Sequence, residues 1–216
     1  MRNGALIVCV VGLLLTGGCQ PESRPKGVYL LLDGSGAVTG ELADTPAIVQ
    51  QLLLALKPRD TLAVATIDTE HFSKNDILAG ITFAPRPILA NHQKRLFLNT
   101  VRRHFQKADQ HKHSDLSGGI LHAIEFLNQT PSREKYIVLI SDLQEPRSGD
   151  DIFQLNGFHI VAPDANALSV DARDTERNQK RVRRWRQKVE ASQGTWHIIR
   201  NSDMLAGLLM ASAASH

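Results

Sequence analysis

The chain predicts an α/β domain built on a mostly parallel sheet. Two uninterrupted apolar runs, 28–32 (Val-Tyr-Leu-Leu-Leu) and 136–140 (Tyr-Ile-Val-Leu-Ile), suit strands covered on both faces. Stretches with helical spacing of apolar residues alternate with short strand-like runs along the rest of the chain, the pattern of strand-helix-strand units. Both long runs lead into an aspartate, Asp33 and Asp142. Open sheets of this kind bind ligands beyond the carboxyl ends of their strands, where the winding reverses.

The elements follow in order. Residues 28–32 form the first strand. Thr45-Pro46 is a helix start with proline in the first turn. Ile48, Val49, Leu52, Leu53 and Leu56 give that helix its apolar stripe, and Pro58 stops it. Residues 61–67 are a strand, and 77–83 a weaker one suited to an edge. Residues 90–105 form an amphipathic helix with Leu96, Phe97, Val101 and Phe105 inward. Residues 116–127 form another, presenting Ile120, Leu121, Ile124 and Leu127. The run 136–141 is the second strong strand and 158–161 a short one. A long polar helix spans 174–192, 195–200 is the last strand, and 202–213 a closing helix.

The first 18 residues are set apart. Arg2 gives a positive start, residues 5–15 are apolar, and Thr16-Gly17-Gly18 places small residues before Cys19. That is the layout of a secretory signal peptide, too short for a membrane span. It resembles a bacterial lipoprotein signal, in which Cys19 becomes the lipid-modified first residue, although Thr16 stands where Leu is usual. Three segments result: a signal peptide at 1–18, a lipid-anchored linker at 19–27, and a domain at 28–216. The expected location is the bacterial cell envelope, facing the periplasm. Gln20, where inner-membrane retention signals carry Asp, favours the outer membrane.

Bulk properties narrow the function. The only cysteines are Cys9 and Cys19, so the mature chain offers neither a disulfide nor a cysteine metal cluster. It must be held by its core, and its length suffices for one. Removing Arg2 lowers the formal charge from +3 to +2, which gives no reason to expect nucleic acid as a partner.

The candidate site is a set of oxygens. Asp33 opens the turn Asp33-Gly34-Ser35-Gly36-Ala37, Ser114-Asp115 precedes a helix, and Asp142 follows a strand. Asp33, Ser35, Ser114 and Asp142 could share one rim, and hard cations such as Mg²⁺ and Ca²⁺ take oxygen ligands. Two neighbouring carboxylates also repel, which a cation would relieve. The alternative is that Asp33 and Asp142 serve hydrogen bonds to loop amides.

These three stretches, in this order, resemble the von Willebrand factor A (vWA) domain. Its metal-ion-dependent adhesion site uses Asp-x-Ser-x-Ser, then a Thr, then an Asp. The resemblance covers nearly all of 28–213. It implies a three-layer, open, six-stranded sheet with helices on both faces and one short antiparallel edge strand, for which 77–83 is the candidate. It further implies a protein-binding module, not an enzyme, in which a partner's acidic residue completes the coordination of Mg²⁺, Mn²⁺ or Ca²⁺ held by Asp33, Ser35, Ser114 and Asp142. Two residues depart from the pattern. Ala37 replaces the second serine, removing a ligand that water can replace only in part, and Ser114 replaces the threonine while keeping the hydroxyl.

Other features carry less. The helix around 177–188 is densely basic; Val182, Trp185 and Val189 fall at helical spacing and should pack inward, leaving a solvated basic face that could also meet anionic lipid or an acidic partner. His104, His111, His113 and His122 invite a transition-metal reading, but no second pair at ligand spacing supports it. Asp68 ends a strand and reads as a loop-initiating acid, and Glu145 could at most support the rim. No Gly-x-Ser-x-Gly elbow or phosphate-cradling loop occurs. Two alternatives to the binding module stay open. One is a Mg²⁺-dependent phosphoryl-transfer enzyme of haloacid-dehalogenase type with Asp33 as nucleophile, which would want an Asp at Ser35. The other is a metal-free assembly scaffold.

Overall fold

The structure is a computed structural model, and it describes residues 24–33, 44–67, 77–105, 115–144, 153–168 and 172–211. Cys19, Ser35, Ala37, Asp68, His111, His113, Ser114 and Glu145 lie outside these residues.

Six strands form one sheet: β1 (Lys26–Asp33), β2 (Thr61–Ile67), β3 (Ile77–Thr82), β4 (Glu134–Ile140), β5 (Phe158–Pro163) and β6 (Thr195–Ile199). Their spatial order is β3-β2-β1-β4-β5-β6. All neighbours are parallel except β2 and β3, so the weak run at 77–82 is the antiparallel edge. The sequence shows why it sits there: its side chains are half-buried or exposed, whereas β1 is covered on both faces over most of its length.

Helices cover both faces. The odd-numbered residues Tyr29 and Leu31 of β1 pack with α3 (Leu116–Asn128) and α4 (Ala172–Ala191). The even-numbered Val28, Leu30 and Leu32 pack with α1 (Thr45–Ala55), α2 (Pro87–Phe105) and α5 (Ser202–Ala211). This three-layer arrangement is the one expected. Strand alternation thus assigns each residue to a layer, and Asp33 belongs with the α3–α4 side.

Local signals account for the boundaries. Asp44 caps α1 by accepting from Ala47 N at 3.1 Å, with Pro46 in the first turn. Asp115 caps α3 by accepting from Gly118 N at 2.9 Å. Some details differ from the sequence reading. β1 begins at Lys26, so the strand includes two residues read as tether, because Lys26 and Gly27 pair with Glu134 and Lys135. Leu96 and Leu121, read as inward, are 53% and 46% exposed. Each borders the true stripe, which Phe97 and Val101 carry in α2 and Ile120, Ile124 and Leu127 in α3.

Candidate functional site

The site region lies where the winding reverses. β1 connects towards β2 on one side, while β4 lies on its other side, so the carboxyl ends of β1 and β4 border the crevice that this topology leaves open. Leu32 pairs with Ile140, which sets Asp33 level with Ser141, one residue on. The Ser141 hydroxyl donates to Asp33 Oδ2 at 2.8 Å. Ser141 is fully buried, and its oxygen also accepts from Leu143 N at 3.0 Å. A relay thus runs from the Leu143 amide through Ser141 to the Asp33 carboxylate.

Asp142 takes a different direction. Its Oδ2 pairs with the Arg181 guanidinium at 3.1 Å, and its Oδ1 accepts from Gln144 N at 2.8 Å. The next residue, Leu143, has φ 60°, a left-handed conformation that bulky side chains rarely adopt. Two bonds hold it there. Besides the one to Ser141, Trp185 Nε1 donates to Leu143 O at 3.1 Å. Helix α4 therefore clamps the loop after β4, with Trp185 on the backbone and Arg181 on the carboxylate. A cavity of about 170 Å³ opens beside this clamp, lined by Gln144, Arg181, Arg184, Trp185 and Lys188 among others.

Helix α3 brings its amino end to the same edge. A Cβ on Gly119 would lie 2.7 Å from Leu31 Cδ2, so the bare backbone lets the first turn of α3 rest directly on β1, two residues before Asp33. At the end of β5, Asp164 accepts from Asn166 N at 2.9 Å and Arg200 Nε at 3.1 Å. The amide bond, followed by the guanidinium, holds its carboxyl below the usual range.

Of the four residues expected to hold a cation, the described ones are Asp33 and Asp142, which bond to Ser141 and to Arg181 respectively. Asp33 presents a carboxylate braced by Ser141. Both oxygens of Asp142 are engaged, and the neighbouring guanidinium already supplies a positive charge that would repel a divalent ion. Among the described residues, no group of three or more His, Cys, Asp or Glu is placed to hold a metal. His122 bonds Tyr29 through Nδ1 at 3.2 Å rather than joining His104. Sequence reasoning missed Ser141 and Arg181. The first meets Asp33 only through the β1–β4 register, which local sequence does not set. The second has no signal within its own helix.

The basic helix is also less open than its sequence suggests. Val182, Trp185 and Val189 are buried as expected. Arg181 turns to Asp142, and Lys180 and Arg186 pair along the helix with Glu176 and Glu190 at 2.8 Å each.

Known structures share this architecture. The PilB minor pilin from Streptococcus sanguinis matches with a TM-score of 0.53 at 9% identity, over 90% of this chain and 61% of the pilin. A von Willebrand factor type A protein from Catenulispora acidiphila gives 0.51 at 13% identity, over 88% of this chain and 42% of that one. The manganese-loaded TRAP protein of Plasmodium vivax gives 0.51 at 10% identity, over 87% and 74%. The chain thus spans less than two thirds of the pilin's length. No protein-family model matches the sequence, and no curated protein does. The fold is that of a vWA domain. The chain is a vWA-like α/β domain that carries Asp33 and Asp142 at the carboxyl ends of β1 and β4, with Asp142 paired to Arg181.

Proposed function

We propose that this chain is a lipid-anchored protein of the bacterial envelope whose vWA-like domain binds a protein partner at the Asp33 edge. The observation that carries the reading is the Asp33 carboxylate at the topological switch point, braced by Ser141 beside the amino end of α3. The shared fold of the pilin and TRAP supports it. The Cys19 motif supports the anchor, with the outer membrane favoured, and the domain acts by binding rather than by catalysis.

The cation belongs to the same reading in restricted form. Asp33 would hold Mg²⁺, Mn²⁺ or Ca²⁺, with Ser35 and Ser114 as the further ligands that the resemblance implies. The bound ion would offer an open position to an acidic side chain of the partner. Asp142 would join only after release from Arg181. A metal-free scaffold is the second reading, and the Arg181–Asp142 pair favours it, because the arginine supplies the positive charge that a cation would bring.

Recovery of partners from the native envelope, with and without a chelator, tests the proposal. Partner capture that is lost in Asp33→Ala is expected; capture unchanged by that substitution would overturn the binding edge. Chelator sensitivity decides between the cation-dependent and metal-free forms.

A further inference from the structure

The opposite edge of the sheet has its own character. The segments before β1, β2 and β4 and after β3 all lie at the amino-terminal edge of the parallel strands, as the registers Lys26↔Glu134, Gly27↔Thr61 and Thr61↔Thr82 require. Hydrogen bonds knit them together: Arg59 N to Phe83 O at 3.0 Å, and Arg133 N to Pro25 O at 2.8 Å. These segments expose Arg24, Lys57, Arg86 and Arg133. Their acids do not offset this charge. Asp60 is 4% exposed, accepting from Lys26 N and Lys57 N, and Glu134 pairs with Lys26 at 3.8 Å.

Apolar side chains project from the same end. Ile88, Leu54 and Met210 are 84%, 73% and 57% exposed, more than any other large apolar side chain among the described residues. Ile88 lies in the first turn of α2, while Leu54 and Met210 lie in the last turns of α1 and α5. All three positions are at the strand-start end, since α1 and α5 run back from the carboxyl edge and α2 starts where β3 ends. Exposed apolar residues among fixed cations are the composition of a surface that rests in a lipid interface.

The chain's own entry points to the occupant. Arg24 leads into β1 at this edge, and Cys19 precedes it by five residues, a reach of at most about 17 Å. A lipid on Cys19 would hold this end, and no other, against the bilayer.

We propose that the amino-terminal edge of the sheet is a docking face for anionic phospholipid, resting on the lipid anchoring inferred above. Ile88 and Leu54 enter the headgroup boundary, and the basic residues meet the phosphates. β1 spans the sheet from this face to Asp33, so the Asp33 edge points away from the membrane at a height of roughly 25 Å. The domain is thereby oriented as well as tethered.

The test uses the full chain with an environment-sensitive fluorescent amino acid incorporated in place of Ile88, and separately in place of Gln144 as the probe at the far edge, leaving the native cysteines untouched. Each is mixed with vesicles of phosphatidylcholine, with and without phosphatidylglycerol, containing lipid-borne quenchers. The mass of the Cys19 peptide is read on the same sample. The proposal expects quenching at position 88 on anionic vesicles only, reversed by salt, and none at 144. Removing charge with Lys57→Gln and Arg86→Gln should weaken binding roughly fivefold each, with circular dichroism confirming the fold. Absence of quenching at 88, or equal quenching on neutral vesicles, overturns the docking face even if Cys19 is acylated. Quenching at 88 with Cys19 unmodified upholds the face and overturns the anchor.

Discussion

Ser141 donates its hydroxyl to Asp33 Oδ2 at 2.8 Å across the line where the winding of the sheet reverses. The bond places the first and third motifs of the site in contact through the serine. It also fixes the Asp33 side chain from below, since Ser141 is fully buried and held in turn by the Leu143 amide. Ser141→Ala should therefore loosen Asp33 and leave the Leu143 amide without its acceptor. We expect a loss of about 1–3 kcal/mol in urea unfolding, together with weaker partner capture. An unchanged unfolding midpoint would remove the bond from any structural role.

The Arg181–Asp142 pair makes a second outcome readable. Arg181→Ala should lower the thermal midpoint by roughly 2–4 °C, the consequence of about 1 kcal/mol in a domain of this size. It should also release Asp142. If the oxygen set is otherwise competent, Mg²⁺ or Mn²⁺ will stabilise Arg181→Ala more than the native chain, and Ala37→Ser will enlarge the difference. Equal responses in native chain, single variant and double variant would leave the metal-free reading standing.

Two glycines should respond in opposite directions. In Gly119→Ala the new methyl would sit 2.7 Å from Leu31 Cδ2 and 3.3 Å from Ile67 Cδ1, inside a filled core. Relief requires Leu31 to leave its packed position, at an expected cost of about 1–3 kcal/mol. Gly207, within α5, has nothing within 4 Å of its added Cβ. Gly207→Ala should raise stability by about 0.5–1 kcal/mol, because alanine has less backbone freedom to lose in a helix. Chemical denaturation of both variants checks the pair.

The layers were legible because their causes are local. The apolar runs of β1 and β4, the helix starts at Thr45-Pro46 and Ser114-Asp115, and Pro58 each act within a few residues. Leu96 and Leu121 show the limit: on an amphipathic helix a leucine at the margin of the stripe fits either side, and packing decides. The site shows a second limit. Asp33 and Asp142 were both visible as strand-end acids, but which group meets Asp33 depends on the β1–β4 register, a long-range property. One step of register exchanges Ser141 for Asp142 and turns a carboxylate pair into a hydroxyl–carboxylate bond. Arg181, 39 residues from Asp142, reaches it only through the docking of α4.

A histidine pair away from the site gives a pH dependence of definite sign. His159 Nδ1 and His197 Nε2 are 3.0 Å apart on adjacent strands, with Tyr136 stacked on His159 at 4.7 Å between ring centres. Burial pushes both imidazoles below their ordinary 6.5, and for His197 the neighbouring histidine adds to this. The folded chain therefore binds fewer protons than the unfolded chain just below pH 6.5. Stability is complete above that value and falls as pH drops through the lowered folded range. Thermal midpoints measured down to roughly pH 5 should show this decline in the native chain. They should show a flatter profile in His159→Gln combined with His197→Gln, and parallel profiles would exclude the pair as its source.

Asp60 should show the reverse sign. It is 4% exposed at the amino-terminal edge and accepts from the Lys26 amide at 2.8 Å and the Lys57 amide at 2.6 Å. Burial raises its carboxyl above the ordinary 3.8, against the two amides that pull it down. An acid whose folded value is raised binds more protons in the folded chain, so its contribution is complete below pH 3.8 and declines as pH rises through the raised value. Asp60→Asn removes that titration while keeping one acceptor oxygen for the two amides. Its cost relative to the native chain, about 1–3 kcal/mol where Asp60 is protonated, should therefore shrink as pH rises towards 7. Urea unfolding of both chains across this range measures the difference directly. A cost that grows with pH would mean that the amide bonds, rather than burial, set the ionisation of Asp60.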